Sequence, residues 1–390
     1  MIPTLDLPPD HFGPFFEPRH HALAERLSSG ALDGLRGDHD AAAIGMTLGH
    51  PLELYGYLVP EAHGGAAVGK PDDATYVDVR SLVVVRDALG QVSPLADAIF
   101  AVQGLGTYPL VVAGSKAQRE RWVPDLLAGK RIAAFALTEP EAGSDVASLQ
   151  ATARRDGEGW VLDGDKTLIS NIPIASIYVV FANADPAAGR KGISAFLVEA
   201  GAPGLEVEPI PMSVPHPIGR MRLRGCRVGA GGLLGEVGRG FSLAMATLEA
   251  FRISVGAAAC GMARHALACA LAHVKQQRQF GAPLADQQMV RAYLADMATE
   301  LDAARLLVAR AAHRRDVVGG RVASEAAMAK MYATEAAQRI IDKSLQLHGG
   351  IGVVEGTDVE RLYREIRPLR IYEGTTEIQK LIIARALLES

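Results

Sequence analysis

The chain has 390 residues, of which 49% are hydrophobic and 22% charged, with a formal net charge of −4. That length allows two or three domains with sizeable cores, and the nearly balanced charge, with no run of five like charges, excludes a nucleic-acid binder working through a basic face. Three scattered cysteines without CxxC spacing exclude a disulfide framework and a zinc knuckle and point to a reducing compartment.

The opening MIPTLDLPPDHF has no basic stretch followed by an apolar one, so no secretory leader is expected from it. His39 between Asp38 and Asp40 reads as a solvated loop, and the 11 histidines show no HxxxH or HExxH spacing; no metal site is expected. Up to about residue 130, short helical patterns alternate with Pro/Gly turns, with helices expected over 76–89 and 116–128. The charge-free stretch 98–115 contains Gln103, Gly104, Gly106 and Pro109, which makes it a buried helix and turn, not a membrane span.

From about 131 to 237 the texture changes to short strand-like runs between turns. Runs at 150–155 and 160–162 flank Asp156-Gly157-Glu158-Gly159, a hairpin signal, and 177–182 and 193–198 are two more runs of strand length. From Phe241 onward the chain is Ala-rich and helical. Across 287–315, Val290, Tyr293, Leu294, Met297, Leu301, Ala304 and Val308 recur at three- and four-residue steps and form one apolar stripe. Helix, sheet, helix is the order this gives, with three domains expected at 1–130, 131–237 and 238–390. The cluster Gly349-Gly350-Ile351-Gly352 follows a helix and lacks the third-glycine spacing of a Rossmann nucleotide unit.

Two segments carry chemistry. Phe135 to Asp145 reads FALTEPEAGSD, an apolar strand running into a turn whose backbone N–H groups, with the Thr138 and Ser144 hydroxyls, suit a ring carbonyl and a phosphate; taken alone it is a plain strand-to-loop connection. Glu373 precedes Gly374 and the helical run 377–388, and Thr376 and Gln379 have capping-box spacing that places a helix start there. The helix N-terminus favours a charged carboxylate, the apolar Ile371 and Tyr372 favour a neutral one, and a base titrating near neutrality follows from that balance. Taken alone, Glu373 is a surface carboxylate at a helix start.

Six segments in order resemble the acyl-CoA dehydrogenase family of FAD-dependent flavoproteins. FALTEPEAGSD resembles its flavin-contacting signature, and Gly159-Trp160-Val161-Leu162-Asp163-Gly164-Asp165-Lys166 its GWxLxGxK segment. Leu168-Ile169-Ser170-Asn171 sits where the family has Trp-Ile-Thr/Ser-Asn. Arg278-Gln279-Phe280-Gly281 with Gln288 and Leu294-Ala295-Asp296-Met297 resembles its RxxFG…Q…LADM pair. Gln346 to Gly352 resembles its QxxGGxG loop, and Ile371 to Gln379 its YEGTxxIQ signature.

The resemblance implies an α+β fold with an N-terminal helical domain, a middle β-barrel domain and a C-terminal four-helix-bundle domain. It implies FAD as cofactor and conversion of an acyl-CoA, or an acyl-carrier thioester, to the 2,3-enoyl thioester, with Glu373 as base and the hydride passing to flavin N5. Thr138 and Ser170 would bond the isoalloxazine ring, with backbone contacts from Leu137. Ser144 would lie near the pyrophosphate or the thioester, and Thr375 and Glu377 would complete the site. Arg278, Phe280, Gln288, Gln346 and Gly350 would serve the FAD of a neighbouring subunit, which implies a homotetramer or homodimer. Tyr372, Gly374, Glu249 and Arg252 would face substrate. In relatives that carry the base just before that arginine the position is an acid; here it is Phe251, which leaves Glu373. Leu168 stands where a tryptophan commonly covers the flavin, beside the approach of an electron-transferring flavoprotein, so another electron acceptor is an alternative. An acyl-CoA oxidase or other oxygen-using flavoenzyme on the same fold is the alternative function, and a helical assembly protein without catalysis the third. A GC-rich bacterial composition points to a cytoplasmic location.

Overall fold

The structure is a computed structural model and describes residues 14–70 and 72–389; the stretch read for a leader lies outside the described residues. Ten α-helices occur among those residues: α1 (Pro18–Arg26), α2 (Ala41–Gly49), α3 (Val79–Val92), α4 (Pro94–Ala113), α5 (Lys116–Leu127), α6 (Gly240–Gln276), α7 (Gln288–His313), α8 (Ala323–His348), α9 (Asp358–Glu365) and α10 (Thr376–Leu388). The strands are β1 (Ala133–Ala136), β2 (Thr152–Asp156), β3 (Gly159–Ser170), β4 (Ile177–Asn183), β5 (Ile193–Glu199), β6 (Leu205–Pro209), β7 (Ile218–Val228) and β8 (Leu233–Leu234), with a small pair β9 (Arg278–Gln279) and β10 (Ala282–Pro283). Contacts group the chain into two units, each assembled from separate stretches: one from the described residues up to Gly37, Val79–Asp97 and the described residues from Arg252 on, the other from Asp38–Asp78 and Ala98–Phe251.

The second unit holds an eight-stranded sheet in the order β6-β7-β3-β2-β4-β5-β8, with β1 added parallel to β4. The expected hairpin forms: β2 and β3 pair antiparallel from Asp156↔Gly159 outward, and Gly157 turns with φ 59°. Every residue of β4 is buried, as an uninterrupted apolar run requires, whereas in β7 Met221 and Leu223 point inward and Arg220, Arg222 and Arg224 outward. The inward residues join Trp160, Leu162, Val180 and Phe196 in one core, with the Trp160 and Phe196 rings edge to face at 5.3 Å.

Helix α4 takes up most of 98–115 and leaves the expected turn to Gly114 and Ser115. It runs on to Ala113 with Pro109 inside it. Gly106 is not a turn residue: a Cβ there would stand 2.5 Å from the Ala133 Cβ, so the glycine lets the helix lie against β1. Helices α4 and α6 are long and apolar enough to cross a membrane, but 83% of each apolar window is buried inside the protein.

In the first unit, Met297, Leu301, Ala304 and Val308 of α7 are buried as the stripe predicts, with Val290, Tyr293 and Leu294 packed at its margin. They meet the alanine-rich faces of α6 (Ala257, Ala263, Ala266, Ala270) and α8 (Ala329, Ala333, Ala337), where small side chains allow close helix approach. The helix expected over 76–89 begins at Val79, three residues late. The Val79 and Arg80 N–H groups bond the Asp316 carboxylate at 3.2 and 2.9 Å, so the helix is capped by a residue far along the chain that no local pattern shows.

Gly261 marks where α6 crosses α3: a Cβ there would sit 2.1 Å from the Asp87 carbonyl oxygen. Gly261→Ala gains about 1 kcal/mol of helix propensity but forces two backbones apart at a cost of about 1–3 kcal/mol, so a net loss is expected as a lowered thermal midpoint. Gly34→Ala, with nothing within 4 Å of the new Cβ, should leave the stability within about 0.5 kcal/mol of the parent and the midpoint close to it. Equal midpoints for the two variants would show that the crossing has slack.

Candidate active site

In the first unit, the chain turns through the left-handed region at Glu373 (φ 52°) and Gly374 (φ 90°). For a glutamate this conformation costs about 1 kcal/mol or more, so the surroundings must enforce it. They do so through the carbonyls. Gly374 O accepts from Lys330 Nζ at 2.8 Å and from Gln379 Nε2 at 2.9 Å, and Glu373 O accepts from Gln379 Nε2 at 3.3 Å.

These bonds correct the capping-box reading of Thr376 and Gln379. The N-cap of α10 is Thr375, whose Oγ1 accepts from Ile378 N–H at 3.4 Å. Thr376 instead donates to Glu335 of α8 at 2.7 Å, a carboxylate that also receives Arg370 Nε at 2.9 Å. Gln379 reaches back to the turn because two inward carbonyls there need donors. Among the described residues the Glu373 N–H meets no acceptor.

Glu373 Oε2 is enclosed and has no hydrogen-bond partner among the described residues. Burial raises the carboxyl pKa, opposed by the positive charges of Arg86, Lys330 and Arg252; burial prevails. Lys330 moves in the opposite sense: burial lowers its ammonium to about 8 against the pull of Glu373. Desolvation thus drives both members towards neutrality more strongly than their attraction holds them charged. Arg86 keeps its charge. Burial acts against it, but its guanidinium forks onto Asp97 at 2.8 and 2.9 Å and also donates to Ser254 at 3.1 Å, and the net shift is upward. Tyr372 is held as a neutral phenol by burial. A dry carboxylate with a free oxygen and a raised pKa is suited to accept a proton.

The second unit carries the other group of expected residues. Leu137 is buried and Thr138 half-buried just after β1, where Thr138 O accepts from Thr167 N–H at 3.1 Å. Glu139 turns inward and accepts from Gln150 N–H at 2.5 Å, Ala151 N–H at 2.9 Å and Lys166 Nζ at 2.8 Å. Lys166 is fully buried, also donates to Leu137 O at 3.2 Å, and has its pKa lowered to about 8 by burial against the pull of Glu139. This pair staples the loop and holds the Glu139 carboxylate inside the unit. Ser144 is exposed further along the loop.

Ser170 ends β3, and its Oγ lies 2.7 Å from His216 Nε2. His216 was not among the expected residues; its only sequence signal is the bracket Pro215-His216-Pro217. The donor set of this unit, hydroxyls and backbone N–H groups with the Glu139 carboxylate engaged by Lys166 and two backbone N–H groups, fits the carbonyls and nitrogens of a flavin ring. Leu168 is 55% exposed with φ 54°. Glu249 is half-buried in α6.

The residues expected to serve a neighbouring subunit do not gather around Glu373. Phe280 (φ 52°) and Gly281 (φ 80°) form the two-residue turn of the β9–β10 hairpin, and the Phe280 side chain is 96% exposed. Arg278 is exposed beside it and donates to Gly281 O at 2.9 Å. Gln288 opens α7, and Gln346 and Gly350 lie at the end of α8, all exposed. Thr375 and Glu377 flank the start of α10 on the surface side of the turn. His265, Cys269 and Asp358 bring ligand atoms within 4.8 Å of one another, but Asp358 is already paired with Arg361 at 2.9 Å.

Three family profiles match the chain consecutively: acyl-CoA dehydrogenase N-terminal domain over residues 38–130, middle domain over 134–226 and C-terminal domain over 238–388. The chain is 39% identical over 350 residues to the short-chain specific acyl-CoA dehydrogenase of Homo sapiens, spanning 87% of this chain and 81% of that protein. It is 37% identical over 348 residues to the 3-(aryl)acrylate reductase of Clostridium sporogenes, spanning 86% and 88%. The solved structure of butyryl-CoA dehydrogenase from Megasphaera elsdenii superposes with a TM-score of 0.83 at 32% identity over all of both chains. The expected fold, helical at both ends with a sheet-rich middle, is the one found.

Removing one member of a buried ion pair strands the other charge at a cost of about 3 kcal/mol or more. Glu139→Gln should therefore lower the urea midpoint strongly, and combining it with Lys166→Met should recover most of the loss. A single variant as stable as the parent would mean that Lys166 finds another partner or sheds its proton at little cost.

Proposed function

The chain belongs to the acyl-CoA dehydrogenase family of flavoprotein oxidoreductases, and from that premise we propose that it desaturates an acyl-CoA thioester to the 2,3-enoyl thioester, with Glu373 as the α-proton base and FAD as the cofactor. The observation that carries this reading is the enclosed, unpartnered Oε2 of Glu373 in a turn whose conformation its neighbours impose. Glu373 takes the proton from the carbon beside the thioester carbonyl. Its raised pKa supplies driving force for that transfer, and Arg86, Lys330 and Arg252 keep the carboxylate accessible as a base. Charge gathers on the carbonyl oxygen as the proton leaves, and the Glu373 N–H, free of other acceptors, is the donor on offer. FAD, when bound, supplies the acceptor for the hydride that leaves the adjacent carbon.

Leu137, Thr138 and Ser170 hold the ring, Ser144 serves the pyrophosphate or the thioester, and Thr375 and Glu377 complete the site. Tyr372, Gly374, Glu249 and Arg252 contact substrate. Arg278, Phe280, Gln288, Gln346 and Gly350 are assigned to a neighbouring subunit's FAD, a reading supported by a phenylalanine that stands in solvent at a hairpin tip, and a homotetramer or homodimer follows from it. The acyl group rides on coenzyme A or on a carrier protein. An electron-transferring flavoprotein is the proposed re-oxidant. One observation favours an oxidase as the second reading: the exposed Leu168 in place of a tryptophan. The likeness to a 3-(aryl)acrylate reductase is compatible with the same chemistry run in reverse across the same bond.

An anaerobic titration of the FAD-loaded protein with saturated acyl-CoA thioesters should bleach the flavin rapidly with one chain-length class. Glu373→Gln should stay yellow and slow that bleaching by about 100-fold or more; an unchanged rate would dismiss Glu373 as the base. Admitting air afterwards separates the two readings, since prompt return of colour marks an oxidase.

The charge on Lys330 should show in the pH profile. The base works only when deprotonated, so kcat/KM rises with pH through the carboxyl's pKa. Removing a positive charge that lowers this pKa moves it further up. Lys330→Met should shift the acidic limb to higher pH while Lys330→Arg shifts it less, and coincident profiles for all three proteins would show that this ammonium does not act on the base.

A further inference from the structure

The hydroxyl of Ser170 has a side-chain partner, His216 Nε2 at 2.7 Å. His216 approaches it on the segment Pro215-His216-Pro217, which leads straight into β7. The approach is fixed by backbone on both sides: Ser170 pairs with Ile218 across β3 and β7, and Asn171 N–H donates to Pro217 O at 2.5 Å. Flanking prolines restrict the backbone at His216 further, and Asn171 is itself pinned, with φ 66° and Nδ2 directed at the carbonyls of Ala133 (3.3 Å) and Ile99 (3.4 Å). The 2.7 Å contact between Ser170 Oγ and His216 Nε2 is therefore built into the sheet.

We propose that His216 is a positioning residue for the flavin, setting the direction of the Ser170 hydroxyl and allowing it to face the ring as donor or as acceptor. This rests on the reading above that Ser170 contacts the isoalloxazine. Burial lowers the His216 pKa to about 4, so the ring is neutral at ordinary pH. A neutral imidazole has one donor nitrogen and one acceptor nitrogen, and either tautomer places one or the other at Nε2. With N–H at Nε2, the histidine donates to Ser170 Oγ and the hydroxyl proton is free for an acceptor atom on the ring. With a bare Nε2, the hydroxyl donates to the histidine and turns a lone pair to the ring. A flavin nitrogen that accepts when oxidised and donates when reduced meets a suitable partner in both states. Arginine or lysine in place of His216 could only donate, and leucine could do neither.

The experiment uses the full chain reconstituted with FAD and compares the visible spectrum, the midpoint potential and the FAD dissociation constant of the parent, Ser170→Ala, His216→Leu, His216→Gln and Ser170→Ala/His216→Leu, with thermal melting of the flavin-free proteins as the check on folding. Loss of one well-made hydrogen bond should weaken FAD binding by about three- to tenfold in Ser170→Ala. His216→Leu should displace the spectrum and potential in the same direction as Ser170→Ala, His216→Gln should restore part of the change, and the double variant should add little to either single one. If Ser170→Ala shifts the flavin while His216→Leu and His216→Gln match the parent, the proposal is overturned and the ring-contact reading stands. If Ser170→Ala itself leaves the flavin unchanged, both fall.

Discussion

The carbonyl oxygen of Gly374 receives two donors from the interior of the helical unit, and the conformation of the proposed base depends on them. Lys330 comes from the N-terminal half of α8 and Gln379 from the first turn of α10, so the turn at 373–374 is tied to two helices that are themselves tied by Thr376 of α10 on Glu335 of α8. The energetics are one-sided. A left-handed glutamate costs about 1–2 kcal/mol, while a hydrogen bond from an ammonium contributes about 1.5–3 kcal/mol and a neutral amide bond about 1 kcal/mol. The strain is held comfortably, and it directs the Glu373 N–H and carboxylate away from the carbonyls that anchor them.

The same clamp sets the electrostatics. Lys330 cannot hold the Gly374 carbonyl without bringing its charge to the Glu373 carboxylate, and Arg86 is fixed nearby by its fork onto Asp97. Cations alone would make Glu373 a weak base with a depressed pKa. Burial outweighs them and leaves the pKa raised. Asp97 contributes to that balance twice, by occupying the Arg86 guanidinium and by adding a negative charge of its own, the last of the causes acting on Glu373.

How much of this was legible in the sequence depended on the range of the interactions. The 156–159 hairpin, the β4 and β5 runs and the α7 stripe arise from alternation and helical period over neighbouring residues, and they stand where the patterns put them. The start of α3 is not legible locally because its cap is Asp316, more than two hundred residues away. Pro109 and Gly106 suggested a break in α4 that close packing against Ala133 overrides. At the site, the sequence shows the opposition between burial and positive charge on Glu373, but it points to the helix terminus where Arg86, Lys330 and Arg252 act. Gln379 was read as a capping residue because spacing says nothing about which carbonyls lie inward. His216 carries no spacing motif at all; only the β3–β7 register reveals it.

A common device links the two units. Each uses burial to move the pKa of a titratable side chain from its ordinary value and then gives that group a defined task. Lys166 and Lys330 are both lowered to about 8 and both donate to backbone carbonyls, of Leu137 and Gly374, beside the residues assigned to the flavin and to the proton. Glu373 is pushed up and His216 down. In each case the dry surroundings weaken the preference for charge that water would confer. Rigid anchoring complements that poise: Lys330 and Gln379 fix the backbone at Glu373 while its proton affinity is left free to respond, and the β3–β7 pairing fixes His216 while its tautomer is left free. In both places backbone and sheet contacts hold the heavy atoms of a group whose proton the proposed reading calls on.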